Sequence, residues 1–186
     1  SRVRILSPAP ETDNLRKIDF TLMSLMFRFR DLIRPPSGAM KEAGVGTGMC
    51  ILDYGCGPGS FSLAAASIVG NGGRVYALDE LPVAIEKVES KAQAAGLTNI
   101  NAILSDCQTG LDDASIDVAL LYDAFHDLAD PDCVLKELYR VLKPAAVLSF
   151  SDHHLKDDEI VAAITVGGMF RLAARGKRTF TFKRKG

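Results

Sequence analysis

An apolar strand that breaks into alternating glycines is the tightest constraint this chain places on its own folding. Ile51-Leu52-Asp53-Tyr54 runs into Gly55-Cys56-Gly57-Pro58-Gly59, and a small, apolar, helix-spaced segment follows from Ser60. Glycines at such a point let the backbone take positive φ and approach a ligand closely. In doubly wound sheets, ligands bind at this place, outside the carboxyl ends of the strands.

The rest of the chain agrees with that reading. Strand-like runs at "RVYALD", "INAILS", "SIDVALLY" and "AAVLSFS" alternate with helical segments. Pro82 opens one such helix and Gly96 stops it. Residues 130–144 form another, with Val134, Leu135, Leu138, Val141 and Leu142 on one face. Alternation of this kind predicts βαβ units and a mostly parallel sheet covered on both sides. A helix near Asp157–Val166 then gives way to "GMFRLAA" and "KRTFTFKRK", which read as an antiparallel hairpin. Before the first strand, Phe20, Met23 and Phe27, with Leu25, Phe29 and Leu32, fall at helical spacings that Pro35 and Pro36 end. The expected division is residues 1–48 as a helical lid or interface segment and 49–186 as one ligand-binding domain. The 186 residues suffice for one well-buried core.

Charge and cysteine content narrow the setting. Net charge is −1, yet residues 171–186 hold seven basic side chains and no acidic one. A solvated strand whose cations discourage edge pairing is the plain reading; contact with RNA or an anionic membrane is the alternative. No apolar run approaches the ~20 residues of a membrane span, and "SRVRILSPAPETDN" lacks a signal-peptide core, so a cytoplasmic protein is expected. Cys50, Cys56, Cys107 and Cys133 include no CxxC pair. Structural thiols are expected, rather than a zinc site or disulfides.

Asp53 discriminates between ligands. A dinucleotide fingerprint wants Gly or Ala where Ser60 stands, and a carboxylate beside the loop repels a pyrophosphate. A ligand bearing positive charge is favoured instead. The stretch "LDYGCGPGS" resembles the first motif, (D/E)xGxGxG, of class I S-adenosylmethionine-dependent methyltransferases, and the resemblance continues over residues 49–186. "VYALDE" puts Asp79 where that family binds the ribose hydroxyls, with Glu80 beside it. "LSDC" puts Asp106 at the adenine amino group, followed by Cys107. "SIDVALLYDAFHDLADPDCVLKELYRVLKP" is similar to the fourth strand and following helix of the ubiquinone-biosynthesis-like, small-molecule branch. The resemblance implies a Rossmann-like seven-stranded sheet of order 3-2-1-4-5-7-6 with the last strand antiparallel. It also implies S-adenosylmethionine as cofactor, held by Asp53, Gly55, Cys56, Gly57, Gly59, Asp79, Glu80, Asp106, Cys107 and Tyr122. One departure is "LKPAA" where the family has "LKPGG", which predicts a modified turn before the fifth strand.

The acceptor is less constrained. "YDAF" after the fourth strand lacks the prolines of the (D/N)PP(Y/F) motif of amide and exocyclic-nitrogen methylation, so DNA is not an expected partner. His126 follows the fourth strand and His153 with His154 the fifth, accompanied by Asp123, Asp127 and Asp152. These histidines are the candidate catalytic residues, His126 foremost, since an imidazole can take a proton from an acceptor at neutral pH. No helical histidine spacing enforces a metal, and none is expected. The reading is methyl transfer to a small molecule. RNA or protein methylation through the basic tail and a non-catalytic cofactor-binding subunit are the alternatives, and a homodimer is compatible with either.

Overall fold

A computed structural model describes residues 35–185, so the expected helix over residues 16–33 lies outside the described residues. Seven strands form one sheet: β1 (Cys50–Tyr54), β2 (Arg74–Asp79), β3 (Ile100–Leu104), β4 (Ile116–Tyr122), β5 (Leu142–Ser151), β6 (Phe170–Arg175) and β7 (Phe180–Arg184). Their order is β3-β2-β1-β4-β5-β7-β6, as expected. The first five are parallel, and β7 runs antiparallel to both β5 and β6. Among the described residues five α-helices accompany them: α1 (Pro36–Glu42), α2 (Ser60–Val69), α3 (Pro82–Ala94), α4 (Pro131–Val141) and α5 (Asp157–Thr165).

Alternation along β1 shows why the sheet is covered twice. Leu52 and Tyr54 join the core with Leu135, Leu138 and Phe150 on the face of α4 and α5. Ile51 joins Met40, Ala65 and Val69 on the face of α1 and α2. Both sets are apolar because helices cover both faces of a parallel sheet. The site-bearing ends of β1, β2 and β4 are thereby fixed by packing from both sides.

Helix α1 is an element that sequence reasoning missed. Pro35 and Pro36 read as the end of one helix, but Pro36 is also the first residue of the next, where its missing N–H costs nothing. Met40 at its centre is fully buried. Glu42 at its end accepts hydrogen bonds from the amides of Lys177, Arg178 and Thr179 and from Thr179 Oγ1, closing the turn between β6 and β7.

The modified turn at "LKPAA" takes the form of a bulge. β4 pairs Ile116 with Leu142 and then Val118 with Val147, so the residues between shift register. The helix therefore stops at Val141, three residues earlier than the pattern suggests, and Lys143 Nζ lies 2.7 Å from Asp117 Oδ1. The basic tail is partly used within the fold. Arg184 donates to the Leu142 carbonyl and lies 4.0 Å over the Tyr139 ring, and Arg175 pairs with Asp157.

The expectation of four free thiols is corrected. Cys107 and Cys133 form a disulfide, while Cys50 and Cys56 remain free. The loop after β3 and the first turn of α4 meet in space, with the two Cα atoms 6.3 Å apart, and their separation of 26 residues hid this in the sequence.

The same loop is fastened by Glu137 of α4. Its Oε1 accepts from Thr109 N at 2.8 Å and Thr109 Oγ1 at 2.6 Å, and Arg140 donates to both carboxylate oxygens. The Arg140 hydrogen bonds, against the opposing effect of burial and with help from Thr109, hold the Glu137 pKa down at about 2, from 4.5. A depressed carboxylate stabilises the fold above its ordinary pKa and loses that contribution as pH falls through the folded value. Melting of wild type and Glu137→Gln should therefore differ by about 2–3 kcal/mol at neutral pH. The difference should shrink between pH 4.5 and about 2. A constant difference down to acid pH would assign the effect to shape and not to charge.

Candidate active site

A cavity of about 420 Å³ opens at the carboxyl ends of β1 to β4. Of the sequence-predicted cofactor residues, Gly55, Cys56, Gly57, Asp79, Glu80, Asp106, Cys107 and Tyr122 line it. Asp53 and Gly59 do not. Asp53 is 2% exposed, and its Oδ2 accepts from Ser62 Oγ at 2.5 Å beneath the loop. Gly59 caps α2 at φ 84°, where a Cβ would fall 2.9 Å from Val88 Cγ2. Both therefore shape the loop from behind.

Asp79 sits at the end of β2 and ties the loop to it. Its Oδ2 accepts from Gly57 N at 2.8 Å and its Oδ1 from Leu81 N at 3.0 Å. Burial pushes its pKa up, and the amides of Leu81, Gly57 and Glu80 offset only part of that. A carboxylate offers about four acceptor positions, so Asp79 retains acceptor capacity beyond these amides, which suits a ribose hydroxyl entering the cavity. Tyr54 was missed in the sequence, although its position one residue after Asp53 in an apolar strand marked it as core. Its hydroxyl donates to the Asp106 carbonyl at 2.9 Å, setting the height of the loop after β3. Cys133 and Asp127 also reach the cavity, from α4 and from the 3-10 turn Phe125–Asp127.

A second cavity, about 840 Å³, shares Phe61, Tyr122 and Asp123 with the first. Leu155, Ile160 and Phe180 supply apolar wall, and Arg175, Lys177 and Arg178 a basic one. Tyr122 is buried between the two, bonded to Ser149 Oγ at 2.7 Å and stacked edge-on to Phe61. Asp123 turns the chain sharply after β4, with φ 51°. Its Oδ1 lies 3.0 Å from His153 Nδ1 and accepts from His153 N.

The three predicted histidines converge. The His154 ring centroid is 4.0 Å from those of His126 and His153. Asp152, its side chain fully buried, holds two of them: Oδ2 takes His126 N and lies 2.9 Å from His126 Nδ1, and Oδ1 takes His154 N. Burial would raise the Asp152 pKa, but the His126 ring and the His154 and His126 amides outweigh it and hold the carboxyl below its ordinary value. Of the three, His153 lines the second cavity. His126 lines neither; it lies between Asp152 on the second wall and Asp127 on the first, with Nε2 3.3 Å from Asp127 Oδ2.

Comparison with known proteins decides the family. The family profile described as "Methyltransferase domain" matches residues 46–173. The chain belongs to the methyltransferase domain family. Its cofactor is S-adenosylmethionine. A solved S-adenosylmethionine-dependent methyltransferase from Aquifex aeolicus is 27% identical, with a TM-score of 0.70 over 81% of this chain and 88% of that one. Demethylmenaquinone methyltransferase of Geobacillus stearothermophilus is 31% identical over 126 residues, 67% of this chain and 54% of that protein. Arsenite methyltransferase of Aquipseudomonas alcaligenes is 31% identical over 137 residues, 65% of this chain and 40% of that protein. The chain thus spans about half the length of the curated relatives it matches. Among the described residues of this methyltransferase, no helix is long and apolar enough to cross a membrane.

Proposed function

We propose that this methyltransferase transfers a methyl group from S-adenosylmethionine to a small-molecule acceptor held in the second cavity. The observation that carries the reading is the wall that the two cavities share at Phe61, Tyr122 and Asp123. Cavities that share lining residues adjoin at those residues, so donor and acceptor can meet there in line, and alignment supplies much of the catalysis in such a displacement.

The first cavity fits the cofactor. Its glycine loop has no room for a Cβ at Gly55, and Asp79 offers paired acceptors for the ribose hydroxyls. Bound S-adenosylmethionine would supply an activated methyl group on its sulfonium, and the departing sulfur would keep the carbon–sulfur electron pair. Phe61 and Tyr122 keep the junction apolar and exclude water. Asp152 fixes the imidazole cluster, and an acceptor hydroxyl would pass its proton there. Asp152 and Asp127 bracket the His126 ring, with Nδ1 2.9 Å from Asp152 Oδ2 and Nε2 3.3 Å from Asp127 Oδ2, and so orient it between the two cavities.

Two relatives with different small acceptors in their names support a small-molecule reading without choosing an acceptor. Incubating the chain with methyl-labelled S-adenosylmethionine and separate panels of hydroxylated small molecules, RNA and protein tests it. Label is expected in the small-molecule fraction. Label in RNA or protein would overturn the acceptor class. Intact cofactor binding with no transfer to any panel would favour a non-catalytic subunit.

The cofactor assignment has its own test. Asp79→Ala should weaken S-adenosylhomocysteine binding by about 1.5–3 kcal/mol, measured by calorimetry. Unchanged affinity would place the ribose elsewhere.

A further inference from the structure

We propose that Asp123, Asp152 and His153 form a binding site for one divalent metal ion on the wall of the second cavity. One donor atom from each, two carboxylate oxygens and an imidazole nitrogen, lie within 4.8 Å of one another. The sequence offered no helical histidine spacing, and none is needed. The three donors come from the ends of two adjacent parallel strands, β4 and β5, which the sheet holds in register up to Tyr122 and Ser151. Asp123 and Asp152 are the residues that immediately follow that pair, and the Asp123 amide still donates to the Ser151 carbonyl at 2.8 Å.

The surroundings match what a ligating carboxylate requires. Asp152 is buried, and its two oxygens are oriented by the amides of His126 and His154 and by the His126 ring. Such outer hydrogen bonds fix first ligands in metal sites. Asp123 is held over His153 by the turn at φ 51°. His153 is the accessible member, with its side chain 65% exposed. An ion bound here would replace the direct contact between Asp123 Oδ1 and His153 Nδ1, 3.0 Å apart.

Donor chemistry selects the ion. Two carboxylates favour hard divalent cations, and one imidazole shifts the preference toward first-row metals, of which Mn²⁺ accepts both. Three protein donors leave three positions of an octahedral ion for water and ligand. Those positions face the cavity that Asp123, Asp152 and His153 line together. If the second cavity holds the acceptor, as proposed above, the acceptor is a molecule that presents an oxygen to the ion: a hydroxyl, or a hydroxyl beside a carbonyl. This last step rests on that reading; the metal site does not.

Mn²⁺ titrated into the full chain, followed by electron paramagnetic resonance and calorimetry, is the test. Saturable binding of one ion per chain is expected. Asp123→Asn and His153→Ala should each weaken it by about tenfold or more, whereas Asp158→Asn, an exposed acid in the first turn of α5, should leave it unchanged. S-adenosylhomocysteine binding retained by each variant shows that the fold is intact. Absence of saturable binding, or equal loss with Asp158→Asn, would overturn the site. Methyl transfer that proceeds without Mn²⁺ binding removes the site and leaves the proposed function. Mn²⁺ binding with no transfer to small molecules does the reverse.

Discussion

Gly55→Ala should weaken cofactor binding severely. A Cβ at this position would stand 2.5 Å from Ala124 Cβ, a distance that requires one of the two loops to move. Gly55 also has φ 72°, in the region where an L side chain costs roughly 1–2 kcal/mol. The two penalties differ in origin and can be separated. Shifting the loop breaks the bond from Gly57 N to Asp79 and disturbs the β1–α2 turn, so S-adenosylhomocysteine affinity should fall by roughly 100-fold or more, about 2.7 kcal/mol. The double variant Gly55→Ala/Ala124→Gly removes the collision and keeps the unfavourable φ. It should recover binding to within about 1–2 kcal/mol of wild type. No recovery would mean that the loop fails for backbone reasons alone. Wild-type binding by the single variant would mean that the loop has another conformation in solution.

The second large effect should appear in turnover. Asp152→Asn keeps the shape of the side chain but removes the charge that holds His126 Nδ1 and accepts two backbone amides. Turnover should drop by about 100-fold, the usual scale for a positioned proton-transfer group. Cofactor affinity should be unchanged, because Asp152 does not line the first cavity. His126→Ala should show most of the same loss. His154→Ala should show less, since its contribution to Asp152 is a backbone amide that the substitution keeps. If both Asp152→Asn and His126→Ala turn over at the wild-type rate, the acceptor is already a competent nucleophile and alignment alone suffices.

What the sequence revealed followed from periodicity and from motifs that are local. The strand–helix alternation, the turn at Gly55–Gly59 and the acid at the end of β2 each depend on residues close together in the chain. The strand order came from the family resemblance. The missed features are non-local or ambiguous in one dimension. Pro35–Pro36 punctuates equally well as a stop and as a start, so α1 was invisible until Met40 was seen buried. The Cys107–Cys133 bond joins elements that meet only when β3 and α4 are folded. Asp53 illustrates a subtler limit: the motif singles the residue out, but only the packing shows it buried, accepting from Ser62 and absent from the cavity wall. Likewise the convergence of three histidines could be anticipated from strand ends. Which of them faces the cavity depended on the direction of each side chain.

The carboxylate of Glu42 has a consequence for how the domain comes apart. It joins α1 to a turn 135 to 137 residues further along the chain, and it does so mainly through backbone amides. Contacts of such long range form late, after the intervening strands have paired. Once formed, they tie the two extremes of the described fold into a single cooperative unit. The amides of Lys177, Arg178 and Thr179 should therefore exchange with solvent deuterium in step with those around Met40, and the last hairpin should not fray on its own. Glu42→Ala would uncouple them, turning one opening event into two.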